Sequence, residues 1–540
     1  MLAAMLKKWL NSQGVVKSLQ PFIIFFNVPL FDQGVIMSLA RVFSRARVGV
    51  DSPLVIVETH ISNGLPALSI VGLPEAAVRE SKDRVRSAIM MSKFEFPTKR
   101  ITINLAPADL PKEGGRYDLA IAVSILAASG QLGKLELDEL EFVGELALSG
   151  EIRGVPGLLP SAIAASEVQR QLILPNDNQS EAALVESHHL CAVHLTQVTA
   201  FLMKQAFLSP CEKAPTTEQV IQYKDMADVK GQYQARRALE VAAAGGHNLL
   251  FIGPPGTGKT MLASRLPGIM PSMTEAESLA VASVQSVAGR KMGMDWYWQE
   301  RPFRSPHHSS SAAALVGGGS VPKPGEISLA HCGVLFLDEL PEFDRKVLEV
   351  LREPLENGEI HLSRARGQVC YPARFQLVAA MNASNEAYQG DDYYASRASQ
   401  GYLRKLSAPF LDRIDLHVEV PPLPSNVLVN ANETGESSAS IRERVEQAVI
   451  RQRERQGCLN SQLEGRKLEA ICALNESDKA FMQGALDKLG LSARAYHRVL
   501  KVALTLSDLS QTHLVERRHL MESLAYRKME QKLSKVINAQ

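Results

Sequence analysis

The 540-residue sequence has no clustered cysteines, no long apolar run and almost no excess of charge. Its cysteines are scattered without a Cys-x-x-Cys pair, which predicts reduced thiols in a cytoplasmic protein and no zinc site of the usual spacing. No apolar stretch approaches the ~18 residues that a membrane helix needs, so we expect no membrane partner. The formal net charge of +1 excludes a basic footprint over the whole surface, so any nucleic-acid site must be local.

The first 36 residues differ from the rest of the chain. Lys7, Lys8 and Lys17 precede an apolar run from Phe22 to Phe26, as in a signal peptide, but no small-residue cleavage site follows. We therefore expect residues 1–36 to be an extension outside the fold, with Met37 opening the first domain.

One stretch dominates what is present. A short apolar run, Leu249 to Ile252, predicts a buried strand, and Met261 begins a helical pattern. Between them stand Gly253, Pro254, Pro255, Gly256, Thr257, Gly258, Lys259 and Thr260. Strand, glycine-rich loop with Lys-Thr and helix form the context of a P-loop, whose backbone N–H groups favour phosphate. We predict that the loop binds ATP, that Lys259 reaches the β- and γ-phosphates and that Thr260 holds Mg²⁺.

A second apolar run ends in two acids. Val334 to Leu337 predicts a central parallel strand, and Asp338 and Glu339 follow it directly. Ligands of open α/β sheets bind where such strands end. We expect Asp338 to hold the Mg²⁺ shell and Glu339 to orient the attacking water.

Strand-like and helix-like runs alternate along the chain, so the fold class is α/β. We expect an extension (1–36), an α/β domain (37–200), a linker (201–222), an ATPase core with a parallel sheet (223–436), a helical lid (437–530) and a tail (531–540).

The first α/β domain resembles the Lon protease domain. The loop from Pro111 to Arg116 resembles the loop with Lon's serine nucleophile, and the segment from Gly144 to Leu159 resembles the one with its lysine. Aligned in this way, the serine position falls on Arg116 and the lysine position on Leu159. A Ser–Lys dyad needs a hydroxyl beside a base, so the resemblance implies the fold and argues against proteolysis.

The ATPase core resembles the AAA+ class of P-loop ATPases, and the resemblance implies further roles. Asn382 ends the next strand, where AAA+ proteins place sensor 1, and Arg413 matches the arginine finger that reaches a neighbouring subunit's ATP. Arg494 matches sensor 2, a lid arginine on the γ-phosphate, with Arg498 as the alternative. Val229 and Gln232 match the segment that lies against adenine.

Two insertions distinguish this core. The first, Arg301 to Gly333, is rich in glycine and proline and includes Lys323, and the second, Gly358 to Arg374, predicts a β-hairpin with Arg364 and Arg366 at its tip. In a ring, both insertions would line the central channel. Six hairpin tips would place roughly twelve positive charges there, which suits a phosphate backbone. We therefore predict that Lys323, Arg364 and Arg366 contact DNA.

From Met37 onward the chain resembles the ComM/YifB family, on the evidence of Arg301–Arg304, His307–His308, Pro324–His331, the acidic strand and the hairpin. The resemblance implies a ring-forming, hexameric, ATP-dependent DNA motor that acts on single-stranded and branched DNA during natural transformation. Many members carry cysteine pairs after the sensor-1 asparagine, whereas Ala383–Gly390 has none, so we expect no zinc. The alternative is a chelatase-like ATPase that remodels a protein partner or supports metal insertion.

Overall fold

The computed structural model describes residues 39–133, 135–212, 221–319, 322–364, 367–382, 406–424, 435–490 and 492–528. They form an N-terminal α/β part, a central part around a parallel sheet and a group of C-terminal helices. The predicted fold class, an N-terminal α/β domain followed by a core with a parallel sheet and a helical lid, is confirmed. The expected extension 1–36, the expected tail 531–540 and the cysteine-free stretch 383–390 lie outside the described residues.

The N-terminal part is a mixed sheet covered by helices, with strand order β10-β9-β8-β5-β1-β2-β4-β3. Its strands are β1 (Leu39–Arg45), β2 (Leu54–Ser62), β3 (Ala67–Val71), β4 (Arg100–Ala106), β5 (Leu140–Phe142), β6 (Glu145–Leu146), β7 (Ile152–Arg153), β8 (Gln171–Pro175), β9 (Leu190–Ala192) and β10 (Ser209–Pro210). Its helices are α1 (Ala76–Met91), α2 (Asp118–Ala128), α3 (Leu159–Glu167), α4 (Gln179–Ala182) and α5 (Leu195–Leu202). Because β10 pairs with β9, this sheet extends beyond the domain end expected at residue 200, into the segment expected to be a linker.

The central part is built on a parallel sheet with strand order β12-β15-β18-β11-β19. Its strands are β11 (Leu249–Gly253), β12 (Phe303–Arg304), β13 (Gly317–Gly318), β14 (Lys323–Pro324), β15 (Val334–Leu337), β16 (Glu359–Arg364), β17 (Gly367–Pro372), β18 (Gln376–Asn382) and β19 (Leu416–Glu419). Its helices are α6 (Tyr233–Gly245), α7 (Lys259–Ala263), α8 (Leu266–Ile269), α9 (Glu275–Val287), α10 (Ala312–Val316), α11 (Glu326–Leu329), α12 (Arg345–Val350), α13 (Arg352–Asn357) and α14 (Ala408–Leu411).

The inner strands β11 and β15 are apolar because both faces of the parallel sheet are covered. Every residue of β11 and β15 is buried. All the strands run in one direction, so the sheet has a carboxyl edge, where its strands end, and an amino edge, where they begin. The two edges carry different chemistry, described below.

The C-terminal helices are α15 (Ser438–Gln456), α16 (Gly465–Cys472), α17 (Glu476–Leu489), α18 (Ala493–Leu509) and α19 (Arg517–Ala525). Side chains of Ser437, Asn475 and Ser492 cap the N-termini of α15, α17 and α18 by accepting backbone N–H groups. Helices α15 and α18 pack against α6, which anchors the group to the central sheet. Among the described residues, no helix has the length and apolar character required to cross a membrane.

The N-terminal part is joined to the central part at two places. Ser286 of α9 accepts a bond at its carbonyl from the Gly157 N–H (3.0 Å), and its hydroxyl donates to Glu181 (2.7 Å). The turn after β1 lies against the hairpin formed by β16 and β17. A Cβ on Gly49, whose φ is 64°, would lie 2.6 Å from Val369 Cγ1 and 2.9 Å from the Cys370 carbonyl oxygen. This contact therefore requires glycine.

Candidate active site

The glycine-rich loop lies at the carboxyl edge, directly after β11. Gly256 and Gly258 have φ values of 79° and 90°, a conformation that side chains with a Cβ rarely adopt. Such a loop turns successive backbone N–H groups toward one point and forms a cradle for an anion. Gly253 is also constrained, since a Cβ there would lie 2.2 Å from the Val420 carbonyl oxygen.

Lys259 is the cation inside this loop. Its ammonium donates to the carbonyl oxygens of Gly253 (2.9 Å) and Pro254 (2.7 Å), and its side chain is buried. Burial lowers its pKa, while the charges of Asp338 and Glu339 act in the opposite direction. The ammonium therefore lies within the loop, on neutral carbonyl groups that a phosphate oxygen can replace.

The two acids follow β15 beside the loop. The Thr260 hydroxyl donates to Asp338 Oδ2 at 2.6 Å, and Asp338 Oδ1 accepts the Glu339 N–H at 3.0 Å. Glu339 has a φ of 52°, a left-handed conformation that is uncommon for a residue with a side chain. The hydroxyl and carboxylate oxygens brought together here are the hard ligands that Mg²⁺ prefers, so these residues fit the predicted magnesium site.

A histidine contacts the second acid, and the sequence analysis did not foresee it. His308 Nδ1 lies 3.5 Å from Glu339 Oε2, while the neighbouring His307 bonds to Ser309 instead (2.8 Å). His308 belongs to the segment between β12 and α10, the start of the first insertion. The signal available in the sequence was the His-His pair, but nothing in it indicated which acid the pair would meet.

Asn382 is the last residue of β18. It pairs in parallel register with Gly253, the first residue of the P-loop. Its side chain is half-buried at the carboxyl edge, one strand away from Asp338. The position is the one expected for a side chain that contacts both the acids and a terminal phosphate.

The segment before α6 reaches the same edge. Gln232 has a φ of 48°, and its side-chain amide donates to the carbonyl oxygens of Pro421 (2.8 Å) and Thr257 (3.3 Å). Val229 is completely buried and packs in the core beneath the P-loop helix. Gln232 thus ties the P-loop to the end of β19.

Arg413 lies at the opposite, amino edge. Its carbonyl oxygen accepts from the side chain of Asn248, the residue before β11, and its guanidinium pairs with Glu356. It lines a groove of about 1240 Å³ at this edge. The cationic residues of this groove are Arg301, Arg374, Arg413, Arg453, Arg494, Arg498 and Lys501.

The two lid arginines that the sequence left as alternatives behave differently. Arg494 is exposed on the first turn of α18 and opens onto the groove. Arg498 donates to Asp415 Oδ1 at 2.6 Å, and Asp415 also accepts the Asn248 N–H. Burial disfavours the Asp415 charge, but Arg498 and His247 outweigh it and hold its pKa far below the usual range. Arg498 therefore joins the lid to the sheet, whereas Arg494 is available to a ligand. Because both lie at the amino edge, neither reaches the P-loop of its own chain.

The residues expected to bind DNA lie on the insertions. Lys323 is exposed in the small ribbon of β13 and β14, and the backbone of Arg364 ends β16. Arg366 lies outside the described residues. The hairpin itself is as predicted, with Arg364 paired to Gly367 at its tip.

The two positions aligned with the Lon dyad are both buried. The Arg116 guanidinium donates to Ser161 Oγ (2.9 Å) and to the Gly157 carbonyl (3.3 Å), and Leu159 is fully enclosed. Burial lowers the pKa of Arg116 to about 10. The position expected to align with the serine nucleophile thus carries a buried cation that bonds to neighbouring oxygens.

Comparisons with known proteins cover most of the chain. Residues 225–428 match the family model for magnesium chelatase, subunit ChlI, residues 57–178 match subunit ChlI of Mg-chelatase, and residues 435–527 match its C-terminal region. The chain is 52% identical over 515 residues to the competence protein ComM of Haemophilus influenzae, covering 93% of this chain and 100% of that one. It is 51% identical over 500 residues to the protein YifB of Escherichia coli, covering 92% and 98%. A Lon protease of Chloroflexus aurantiacus is 28% identical over 138 residues, covering 24% of this chain and 16% of that one.

Proposed function

The chain belongs to the ComM/YifB family of magnesium-chelatase-like AAA+ proteins, and from this premise we propose that it is an ATP-driven, ring-forming DNA motor. Its activity would be that of a helicase or branch-migration translocase in the recombination of DNA taken up by natural transformation. The relative named as a competence protein supports the process. The observation that carries the mechanism is the separation of the phosphate loop from the arginines on opposite edges of one sheet.

In this proposal the carboxyl edge binds and hydrolyses ATP. Backbone N–H groups from Gly253 to Thr260 and the Lys259 ammonium hold the phosphates. Thr260 and Asp338 would hold Mg²⁺, which supplies charge neutralisation at the β- and γ-phosphate oxygens. Glu339 orients and polarises the attacking water, and Asn382 positions the terminal phosphate. Val229 and Gln232 border the nucleotide base.

The amino edge completes the site of a neighbouring copy. Arg413 and Arg494 face a groove that is distant from their own P-loop, so within a single chain they have no phosphate to contact. A ring in which the amino edge of one copy meets the carboxyl edge of the next would bring them to the γ-phosphate. A head-to-tail contact forms a closed ring when its rotation divides a full turn evenly, and we propose a hexamer.

We assign DNA binding to the two insertions. Lys323 and Arg364 are on short two-stranded ribbons, and Arg366 follows Arg364 by two positions in the sequence. A net charge of +1 leaves the rest of the surface without a general attraction for nucleic acid. Single-stranded and branched DNA in the channel would contact these side chains through its phosphates.

A second candidate is favoured by the family matches themselves, which are to a subunit of magnesium chelatase. In that alternative, ATP hydrolysis remodels a protein partner or supports metal insertion. The carboxyl edge would serve both functions equally well, so the distinction depends on what stimulates the ATPase.

The test is the ATPase rate with no DNA, with single-stranded DNA and with a four-way junction. Wild type is compared with Arg364→Ala/Arg366→Ala and with a matched control, Lys488→Ala/Arg518→Ala, which removes the same charge from exposed positions on α17 and α19. Lys259→Ala supplies the background rate.

Stimulation by DNA that the hairpin variant loses and the control keeps supports the motor. The hairpin variant should also show a shallower dependence of DNA affinity on salt. Absence of stimulation by either DNA rejects the motor and leaves the chelatase-like alternative. A Lys259→Ala rate equal to wild type rejects the ATPase assignment.

A further inference from the structure

The hairpin of β16 and β17 has one apolar face and one polar face. Ile360, Leu362, Val369 and Tyr371 are buried against the central part. Side chains alternate along a strand, so the residues between them point the other way. The burial pattern thus determines the pairing register of the hairpin and shows which residues lie on its outer face.

Three residues with metal-binding side chains lie on that outer face. His361 is directly opposite Cys370 in the antiparallel register, and Glu359 precedes His361 by two positions on the same strand. Cys370 Sγ is 3.5 Å from Glu359 Oε2, and His361 Nε2 is 3.8 Å from the same oxygen. One ligand atom from each of the three lies within 4.8 Å of the other two.

The two separations from Glu359 Oε2, 3.5 and 3.8 Å, match those around a single ion. Zinc binds sulfur, nitrogen and oxygen ligands at roughly 2.0–2.3 Å in tetrahedral geometry, which places ligand atoms about 3.3–3.8 Å apart. We propose that Glu359, His361 and Cys370 form a binding site for one zinc-class divalent cation at the base of the hairpin, with water in the fourth position. Three protein ligands and an open position are a recognised form of zinc coordination.

The surrounding charge also favours a cation. The carboxylates of Glu359, Asp51 and Glu353 lie close enough to the Cys370 thiol to act on it electrostatically. Negative side chains thus surround the thiol, and Asp51 comes from the turn of the N-terminal part that contacts this hairpin. A bound ion would clamp the two strands immediately below the tip that carries Arg364.

The proposed site departs from the expectation of no zinc, which rested on cysteine spacing and on the cysteine-free stretch 383–390. His361 and Cys370 are nine residues apart and match no metal motif; only the register of the hairpin brings them together. The site is independent of the proposed magnesium ligands, which are a hydroxyl and carboxylates at the carboxyl edge.

The test is titration of tag-free full-length protein with Co²⁺, an optical substitute for Zn²⁺, under anaerobic conditions with a phosphine reductant. We expect a thiolate-to-cobalt charge-transfer band that saturates at one equivalent, disappears on addition of Zn²⁺ and survives millimolar Mg²⁺. Cys370→Ser should lose the band. Cys458→Ser, which removes another partly exposed thiol, should keep it.

His361→Gln and Glu359→Gln each remove one ligand and keep the thiol. Each should weaken Co²⁺ binding by at least roughly 10–100-fold. That is the loss of metal affinity that follows when a residue hydrogen-bonded to a ligand is changed. These two variants also decide the matter if Cys370→Ser fails to fold. Absence of the band in wild type, its persistence in Cys370→Ser, or unchanged affinity in both glutamine variants overturns the proposal.

Discussion

The two edges of the central sheet are formed by the same strands, but they carry different sets of the residues proposed for ATP hydrolysis. At the carboxyl edge, Lys259 lies in a glycine-rich loop beside Thr260, Asp338 and Glu339. At the amino edge, a groove gathers arginines without any phosphate-binding loop. Among the described residues, the carboxyl edge has the loop suited to a nucleotide but no arginine placed to reach its terminal phosphate, whereas the amino edge has several arginines and no such loop. In the ring that we propose, the unit of catalysis would be the contact between two copies.

The strongest test of this difference between the two edges is to remove Arg413. We expect Arg413→Ala to keep ATP binding and to lose hydrolysis by a factor on the order of 10³ or more, because an arginine finger acts in the transition state. Mixing it with inactive Glu339→Gln protein should restore part of the rate. In the mixture, some contacts pair an intact carboxyl edge with an intact amino edge.

The control for this experiment is the double variant Arg413→Ala/Glu339→Gln, which has neither edge intact and should rescue neither single variant. No recovery in the mixture of single variants, at concentrations where the wild type assembles, would contradict catalysis across the contact.

The two lid arginines sharpen the comparison within the amino edge. Arg494→Ala should lower the ATPase rate by roughly 10–100-fold, the effect of losing about 1.4–2.7 kcal/mol from the transition state, with an unchanged melting temperature. Arg498→Ala leaves buried Asp415 without its ion pair, which costs about 3–5 kcal/mol. It should therefore lower the melting temperature. The reverse pattern would show that the sensor role belongs to Arg498.

A smaller effect is expected from the histidine at the carboxyl edge. The pair between His308 and Glu339 is partly exposed and worth at most about 1 kcal/mol. If it restrains the carboxylate, His308→Ala should raise the DNA-free ATPase rate by up to about 5-fold. His307→Ala is the matched control, because His307 bonds to Ser309. Equal rates in both variants would show that the contact does not restrain Glu339.

The smallest expected effect is on the pH dependence of stability, through His331 at the amino edge. Burial and then Arg374 lower the pKa of His331 to about 4, and its Nδ1 accepts the Arg374 N–H. Below pH ~6.5 the unfolded chain takes up a proton that the folded chain excludes, so stability falls from that pH toward pH 4. His331→Asn keeps an acceptor and removes the titration. Its melting temperature should therefore fall less than that of wild type between pH 7 and 5, by about 2–4 °C. Parallel curves would show that His331 contributes nothing to this dependence.

The features that the sequence predicted well are those that consecutive residues determine. The strand predicted at 249–252 is Leu249–Gly253, and the hairpin appears where its glycine and strand pattern place it. In each case, local periodicity and turn chemistry determine the element.

The features it did not predict depend on tertiary position. Helical periodicity showed that Arg494 and Arg498 lie one turn apart, but not that Asp415 engages one of them. Likewise, nothing along the chain indicated that His308 would meet Glu339, or that a turn in the N-terminal part would reach the hairpin. Such contacts between distant segments are decided by packing of the whole fold.

The glycine turn after β1 affects how this protein can be divided into fragments. Val48 and Val50 contribute to the apolar core beneath the hairpin, and Gly49 allows the backbones to meet. An ATPase fragment beginning near residue 223 would expose that apolar surface to solvent. The N-terminal part therefore supports the hairpin, and chimaeras between relatives should exchange the two together.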